Sequence, residues 1–383
     1  KWKIEDMHVP LFDLRVRDQN LRDELMEAFR KVLDHGRLIA SDTPYQLGPE
    51  VEEFEGKIAS EIGTKYAVGV GSGSSALYMA LKACDIGPGD EVITTPLTWI
   101  ITANAIAACG ATPIFADVQE DFNIDPNSIE ERITPNTKAI VPMHYAGHMC
   151  DMDSVSEIAN KNNLLVVEDV AQAFGASLNG KKAGSFSMAA GLSMNPMKVL
   201  GGYGEAGAVV TSDEKIYQRL KRLRHAGTTS DPKKRVSNEC VEVSLNHKMD
   251  SINAALLLVA LKHLPEKLKK RETIARRYDD KLPTQIERQG YLKGEVHGRY
   301  VYVIKEKKRD QLKLFFDTDE IETKIMHEPL ACDAPVYKKY NHKPVPLARK
   351  ILARNLIIPS HEQLSEEQVN KVIDATFRFI DSY

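Results

Sequence analysis

The stretch GLSMNPMKVLGGYGEAGAVVT, residues 191–211, decides between two folds. Gly202, Gly204 and Gly207 spell G-x-G-x-x-G, the fingerprint of a dinucleotide-binding turn. That fingerprint needs a strand before it and a helix opening at its third glycine. Here the third glycine is followed by AVVT, a β-branched run that stops at the turn-like SDEK (212–215). The glycines run into a strand, and the dinucleotide reading fails on context. What remains is Lys198, flanked by Met197, Val199 and Leu200. Apolar surroundings lower a lysine's pKa and make its amine nucleophilic. An ordinary surface lysine is the competing reading when Lys198 stands alone.

Outward from this stretch, β and α patterns alternate. YAVGV (66–70), DEVITT (90–95), TPIFADV (112–118), KAIVPMHY (138–145) and LLVVED (164–169) are short apolar runs. Between them lie helical segments such as SSALYMALKAC (74–84) and DSVSEIANKNN (153–163). Strands that are apolar throughout are covered on both faces. This predicts an α/β fold with a mostly parallel sheet flanked by helices. Before it, Leu21, Leu25, Phe29 and Leu33 recur at helical spacing. After it, a long helical segment covers 249–283, with Pro265 expected to kink or break it. A smaller α+β unit follows: strand RYVYVIK (299–305), helix RDQLKLFF (309–316), strand EIETKIM (320–326) and a last helix from 365. The chain of 383 residues thus divides into a large α/β domain with an N-terminal arm (1–250) and a linking helix plus small C-terminal domain (251–383).

A net charge of −3 gives no ground for general binding to nucleic acid or to anionic membranes. The basic run PEKLKKRETIARR (265–277) reads as a solvated helix face. Five cysteines, Cys84, Cys109, Cys150, Cys240 and Cys332, lack any C-x-x-C spacing and fit a reducing cytoplasm. The apolar stretch AALLLVAL (254–261) is too short to span a bilayer. His144, His148, Cys150 and Asp151 fit no zinc spacing, so no metal is expected.

Three features carry chemistry. In VGVGSGSSALYMAL (68–81) a strand runs through Gly71-Ser72-Gly73-Ser74 straight into a helix. Free N–H groups at such a start can hold an anion, although an ordinary capped βα turn looks the same. In LLVVEDVAQAFGA (164–176) a buried strand ends on Glu168-Asp169, where open α/β sheets bind ligands. Lys198 is the third. Pyridoxal 5'-phosphate needs a phosphate cradle, an acid for its ring nitrogen and a lysine for its aldehyde, and the three features together supply them.

The chain resembles the DegT/DnrJ/EryC1/StrS family of sugar aminotransferases, which have the aspartate-aminotransferase fold. The resemblance rests on VPLFDL (9–14), LGPEVEEFE (47–55), DIGPGDEVITTPLTW (85–99), DMDSVSEIA (151–159), VVEDVAQAFGA (166–176), MKVLGGYGEAGAVVT (197–211) and LIIPSHEQLSEEQ (356–368), in that order. It implies that Lys198 is the Schiff-base lysine and proton carrier, and that Asp169 keeps the pyridine nitrogen protonated. It implies further that Gln172 touches the ring hydroxyl and that Trp99 stacks on the ring, with a core aromatic as the alternative for Trp99. Gly73 and Ser74 would cradle the phosphate, joined by Ser193. Asn246, in SLNHKMD, would reach the phosphate of a neighbouring subunit's cofactor in a homodimer with shared active sites. His327, in MHEPL, would face the sugar, with a packed histidine as the alternative. Lys248 departs from the family's usual arginine and lacks its planar fork. The segment at 37–49 is longer than usual and is expected near the sugar.

The implied reaction moves an amino group, from L-glutamate by analogy, to a 3- or 4-keto carbon of a nucleotide-linked keto-deoxysugar. Two other functions compete. Deoxygenating (dehydratase) relatives generally replace the Schiff-base lysine with histidine, and Lys198 argues against that reading. A non-catalytic regulator on this fold would lack the lysine or carry a DNA-binding module, and neither is seen.

Overall fold

The computed structural model describes residues 8–38, 48–229, 239–340 and 343–382. Seven strands form the central sheet: β1 (Tyr66–Val70), β2 (Glu91–Thr94), β3 (Thr112–Phe115), β4 (Thr137–Val141), β5 (Leu165–Asp169), β6 (Ala189–Ser193) and β7 (Gly207–Thr211). Their order is β1-β7-β6-β5-β4-β2-β3. Only β7 is antiparallel to its neighbours, β1 and β6; the remaining pairs are parallel. The alternating β and α pattern therefore gives the expected mostly parallel α/β sheet, and the run after the third glycine is indeed a strand.

Both faces of this sheet are buried, and side-chain parity assigns each residue to one of them. Val68, Val92, Val141, Val167 and Val209 share one apolar core with the helices α3 (Gly73–Ala83), α4 (Ile101–Ala108) and Glu214–Arg224. Ala67, Ile93, Ile140, Val166 and Val210 share the other core with α2 (Pro49–Ile62), Met152–Lys161 and the long helix Ser251–Lys281. A third core, with Ile274, Tyr278, Phe316 and Phe379, lies under the C-terminal sheet of Glu287–Arg288, Tyr302–Lys305 and Asn355–Ile358.

Three expectations give way to packing. The helix Ser251–Lys281 passes Pro265 unbroken. Its first half lies against α1 (Gln19–His35) and α2, and Leu264 is buried beside the proline. Tertiary burial there offsets one missing N–H. EIETKIM forms no strand; it makes only isolated bridges at Ile321 and Lys324. In α1, Leu25 and Val32 are buried, whereas Leu33 is exposed. The run 265–277 is not wholly solvated either. Arg271 is buried, donates to Glu362 at 2.7 Å and to the carbonyl oxygens of Arg299 and Tyr300 at 3.1 and 2.8 Å, and Lys267 joins it on Glu362 at 3.1 Å. No helix among the described residues is long and apolar enough to cross a membrane.

Candidate active site

Asp169 is the last residue of β5, and its parity sends it to the α4 side of the sheet. There its Oδ2 accepts from Thr102 Oγ1 at 2.8 Å, and its Oδ1 accepts from the Ala171 N–H at 3.0 Å. Burial pushes its carboxyl pKa up, against the pull of those two bonds and of the Lys198 and His144 charges. A buried carboxylate in this state is short of a cation. Glu168, one residue earlier, points the other way. It accepts from Gly184 N–H, Phe186 N–H and Ser187 Oγ and pairs with His144 Nε2 at 3.1 Å, all in the interior.

Lys198 lies in the turn after β6, with its Nζ 4.4 Å from the centroid of the Tyr300 ring. A cation over an aromatic face is attracted by the ring quadrupole. The bonds from Arg271 to the Tyr300 carbonyl hold that ring's backbone in place. Neither Tyr300 nor Thr102 carries a sequence signal; each meets the site only through the fold.

The turn from β1 into α3 comes up against the end of β6. A Cβ on Gly73 would stand 2.5 Å from the Ser193 Cβ, and one on Gly207 would stand 2.5 Å from the Ser72 carbonyl oxygen. Only glycine fits at either place, so Gly207 serves the anion turn rather than a dinucleotide. Ser72 caps α3, accepting from the Ser75 N–H at 3.1 Å, and Gly73 and Ser74 form the first turn, whose N–H groups have no acceptor within the helix. Ser193 ends β6 beside them.

Trp99 follows β2 and is 63% exposed, which removes the core-aromatic alternative. Gln172 accepts from the Ala146 N–H at 2.8 Å and lies 3.1 Å, Nε2 to Nε2, from His327. His327 is held down to about 3 by burial and by the positive charges of Lys198 and Lys324. The Tyr145 ring meets His327 edge-on at 5.6 Å, and its hydroxyl is buried without a hydrogen-bond partner.

Asn246 is exposed, and its Oδ1 accepts from the Lys248 N–H at 3.3 Å; its neighbour His247 meets the start of α3, Nδ1 to Ser75 Oγ at 3.0 Å. Lys248 Nζ is 3.1 Å from His225 Nδ1. Most of the long segment at 37–49 lies outside the described residues. The histidines of 144–148 are structural. His148 sits between Asp121 and Glu295, at 3.0 and 2.7 Å, and the described residues contain no group of three potential metal ligands. A cavity of about 670 Å³ lies behind the Lys198 turn, lined by Arg15, Tyr203, Lys267 and Glu362 among others. It touches none of Lys198, Asp169, Gln172 or His327 and is not the reaction site.

These residues fit pyridoxal 5'-phosphate. The buried Asp169 lacks a full cation partner, the Gly73–Ser193 contact leaves an anion cradle, and the Tyr145 hydroxyl is unsatisfied. Residues 19–377 match the DegT/DnrJ/EryC1/StrS aminotransferase family. The chain is 35% identical to the dTDP-3-amino-3,6-dideoxy-alpha-D-galactopyranose transaminase of Aneurinibacillus thermoaerophilus, covering 97% of this chain and 99% of that one. It is also 35% identical to a pleiotropic regulatory protein of Geobacillus stearothermophilus, covering 97% and 99%. Among solved structures it is similar to DesV of S. venezuelae in complex with a ketimine intermediate, with a TM-score of 0.90, 34% identity and coverage of 97% and 98%.

The chain belongs to the DegT/DnrJ/EryC1/StrS aminotransferase family. It has that family's fold and is an aminotransferase that uses pyridoxal 5'-phosphate.

Proposed function

We propose that the protein transfers an amino group from L-glutamate to the keto carbon of a nucleotide-linked keto-deoxysugar. The observation that carries this reading is Lys198 standing over Tyr300 within the electrostatic reach of Asp169. It is supported by full-length similarity to a dTDP-sugar transaminase. The cofactor, when bound, supplies a carbonyl that accepts the amino group and a conjugated ring that takes up electrons from the substrate carbon. Asp169, oriented by Thr102 and Ala171, would offer a negative charge to the ring nitrogen. Gly73, Ser74 and Ser193 would hold the phosphate, and the exposed Trp99 would cover the ring. Lys198 would hold and move the proton at its Nζ. Its retention disfavours sugar deoxygenation.

The protein loaded with cofactor is to be incubated with L-glutamate and dTDP-, UDP- and GDP-linked 3-keto and 4-keto sugars. Products are then identified by mass and NMR. The expected result is a glutamate-driven change in the cofactor spectrum and an amino sugar from one nucleotide class. A spectrum indifferent to glutamate and to every sugar would favour the regulator instead.

We propose further that the working unit is a homodimer in which Asn246 completes the partner's phosphate site. The segment leading to it shows a ladder of apolar side chains to solvent: Val241, Val243 and Leu245 are 55%, 85% and 68% exposed. An apolar patch of this kind marks a covered surface, and a two-fold dimer covers it with the same segment of both chains. Lys198→Ala and Asn246→Ala proteins, each impaired and each still dimeric, are to be unfolded and refolded together. In a mixed dimer one site carries both lesions and the other carries neither. Random pairing of the two chains should restore about a quarter of the wild-type activity. No gain over the separate variants would place Asn246 in its own chain's site.

A further inference from the structure

The side-chain amide of Gln172 is gripped from both ends. Its Oε1 accepts from the Ala146 N–H at 2.8 Å, and its Nε2 faces His327 Nε2 at 3.1 Å. The first bond settles the second. A backbone N–H can only donate, so the oxygen end of the amide lies at Ala146 and the NH₂ end lies at His327. The imidazole Nε2 must then accept, and the ring proton sits on Nδ1. An amide NH₂ carries two hydrogens, and one remains for a ligand.

Both gripping residues have left-handed backbones, with φ of 59° at Ala146 and 64° at His327, and neither is glycine. Non-glycine residues held in this region are strained and persist where the surroundings over-determine them. The imidazole plane is set in turn by Tyr145, which meets it edge-on at 79° and itself stacks on Phe122 at 5.1 Å. The neighbouring Lys198 and Lys324 charges and the burial of the ring keep His327 neutral, so Nε2 stays an acceptor through the range in which enzymes work.

We propose that His327 is a positioning residue that locks the Gln172 amide in one of its two flips, so that Gln172 presents an N–H, and not its carbonyl oxygen, to the ring oxygen of the cofactor. The proposal rests on the reading that Gln172 lies beside that oxygen. An N–H donor there favours the anionic form of the ring oxygen over the neutral one. A carbonyl in the same place would favour the neutral form.

The first test needs no cofactor. In protein carrying ¹⁵N-histidine, with the His327 signal assigned by its loss in His327→Leu, the ring should be the neutral Nδ1–H form and should not titrate between pH 8 and pH 5. An Nε2–H tautomer, or protonation near the ordinary histidine value of about 6.5, would overturn the proposal. The second test reads the absorbance of the loaded protein against pH. His327→Leu should move the midpoint of the cofactor's spectral change upward by about one unit, a tenfold change in proton affinity, because a hydrogen bond to a charged group is lost. Gln172→Leu should give a similar shift, and the double variant should add little to it. His327→Gln, whose carbonyl can accept in place of Nε2, should bring the midpoint back. An unmoved midpoint in His327→Leu, or additive shifts in the double variant, would overturn the proposal. Failure of the proposed sugar transamination would instead appear as missing sugar turnover and would leave the histidine tautomer and the midpoint as they are.

Discussion

Lys198→Ala protein is expected to lose turnover by on the order of 10⁴-fold, the upper range for one group in general acid–base work. Lys198 has two tasks, and alanine can do neither. In the role proposed for it, its amine would hold the cofactor covalently between turnovers and would move the proton that converts one amino-group carrier into the other. The neighbour over which Nζ sits is the aromatic face of Tyr300, which carries no amine to take over either task. The same assignment is read directly by mass. Borohydride treatment of the loaded wild-type protein should leave the cofactor's mass on the peptide that contains Lys198. Label on a different lysine would remove Lys198 from its role. The variant is expected to keep its fold, because Lys198 makes no ion pair among the described residues, and the circular dichroism of the two proteins should coincide.

Asp169→Ala and Asp169→Asn are expected to lose activity by on the order of 10² or more, as when one preorganised electrostatic partner is removed. The two variants separate charge from shape. Asparagine keeps an oxygen for the Ala171 N–H, can turn its NH₂ to Thr102 Oγ1, which is able to accept, and has nearly the same volume, so an equal loss in both would assign the effect to the charge. Stability should move differently from activity. Burial raises the Asp169 pKa in the cofactor-free fold. A carboxyl raised in this way contributes stability that is present below its unfolded pKa and is lost as pH rises through its folded pKa. Toward neutral pH that contribution falls away, and Asp169→Asn should melt no lower than wild type without cofactor. Near-normal turnover in either variant would make Asp169 a structural residue only.

Much of this site could be read from the chain because its parts lie on local devices. The glycine turn is a strand, glycines and a helix in sequence order, Asp169 ends a strand, and Lys198 lies in the turn that follows another. What could not be read depends on contacts between distant segments. The β6 strand AAGLS lacks the β-branched residues that mark β1 and β5, since its small side chains are fitted to the covering α3. Glu168 and Asp169 are neighbouring acids, and the sequence does not say which faces the ligand. Strand parity does, because Val167 and Asp169 share the α4 face while Val166 and Glu168 share the other. Thr102, Tyr300, Arg271 and the His327–Gln172 contact join residues from 28 to 155 positions apart, beyond any short motif. Pro265 misleads for a related reason: local propensity argues for a break, and the surrounding helices decide otherwise.

That unbroken helix also limits how the molecule can move. Its 31 residues make a strut of roughly 46 Å. One end is fastened by the Ser251 N–H to the Leu38 carbonyl oxygen at 2.9 Å, beneath the central sheet's helices. Near the other, the Tyr278 hydroxyl donates to the Pro359 carbonyl oxygen at 2.7 Å within the C-terminal core. Arg271, about two turns before Tyr278, ties the strut to the backbone of Tyr300 under Lys198. An unbroken helix has no joint along its own length, so the Arg271 bond holds the Tyr300 backbone at a fixed place on it, and the floor beneath Lys198 is fixed with it.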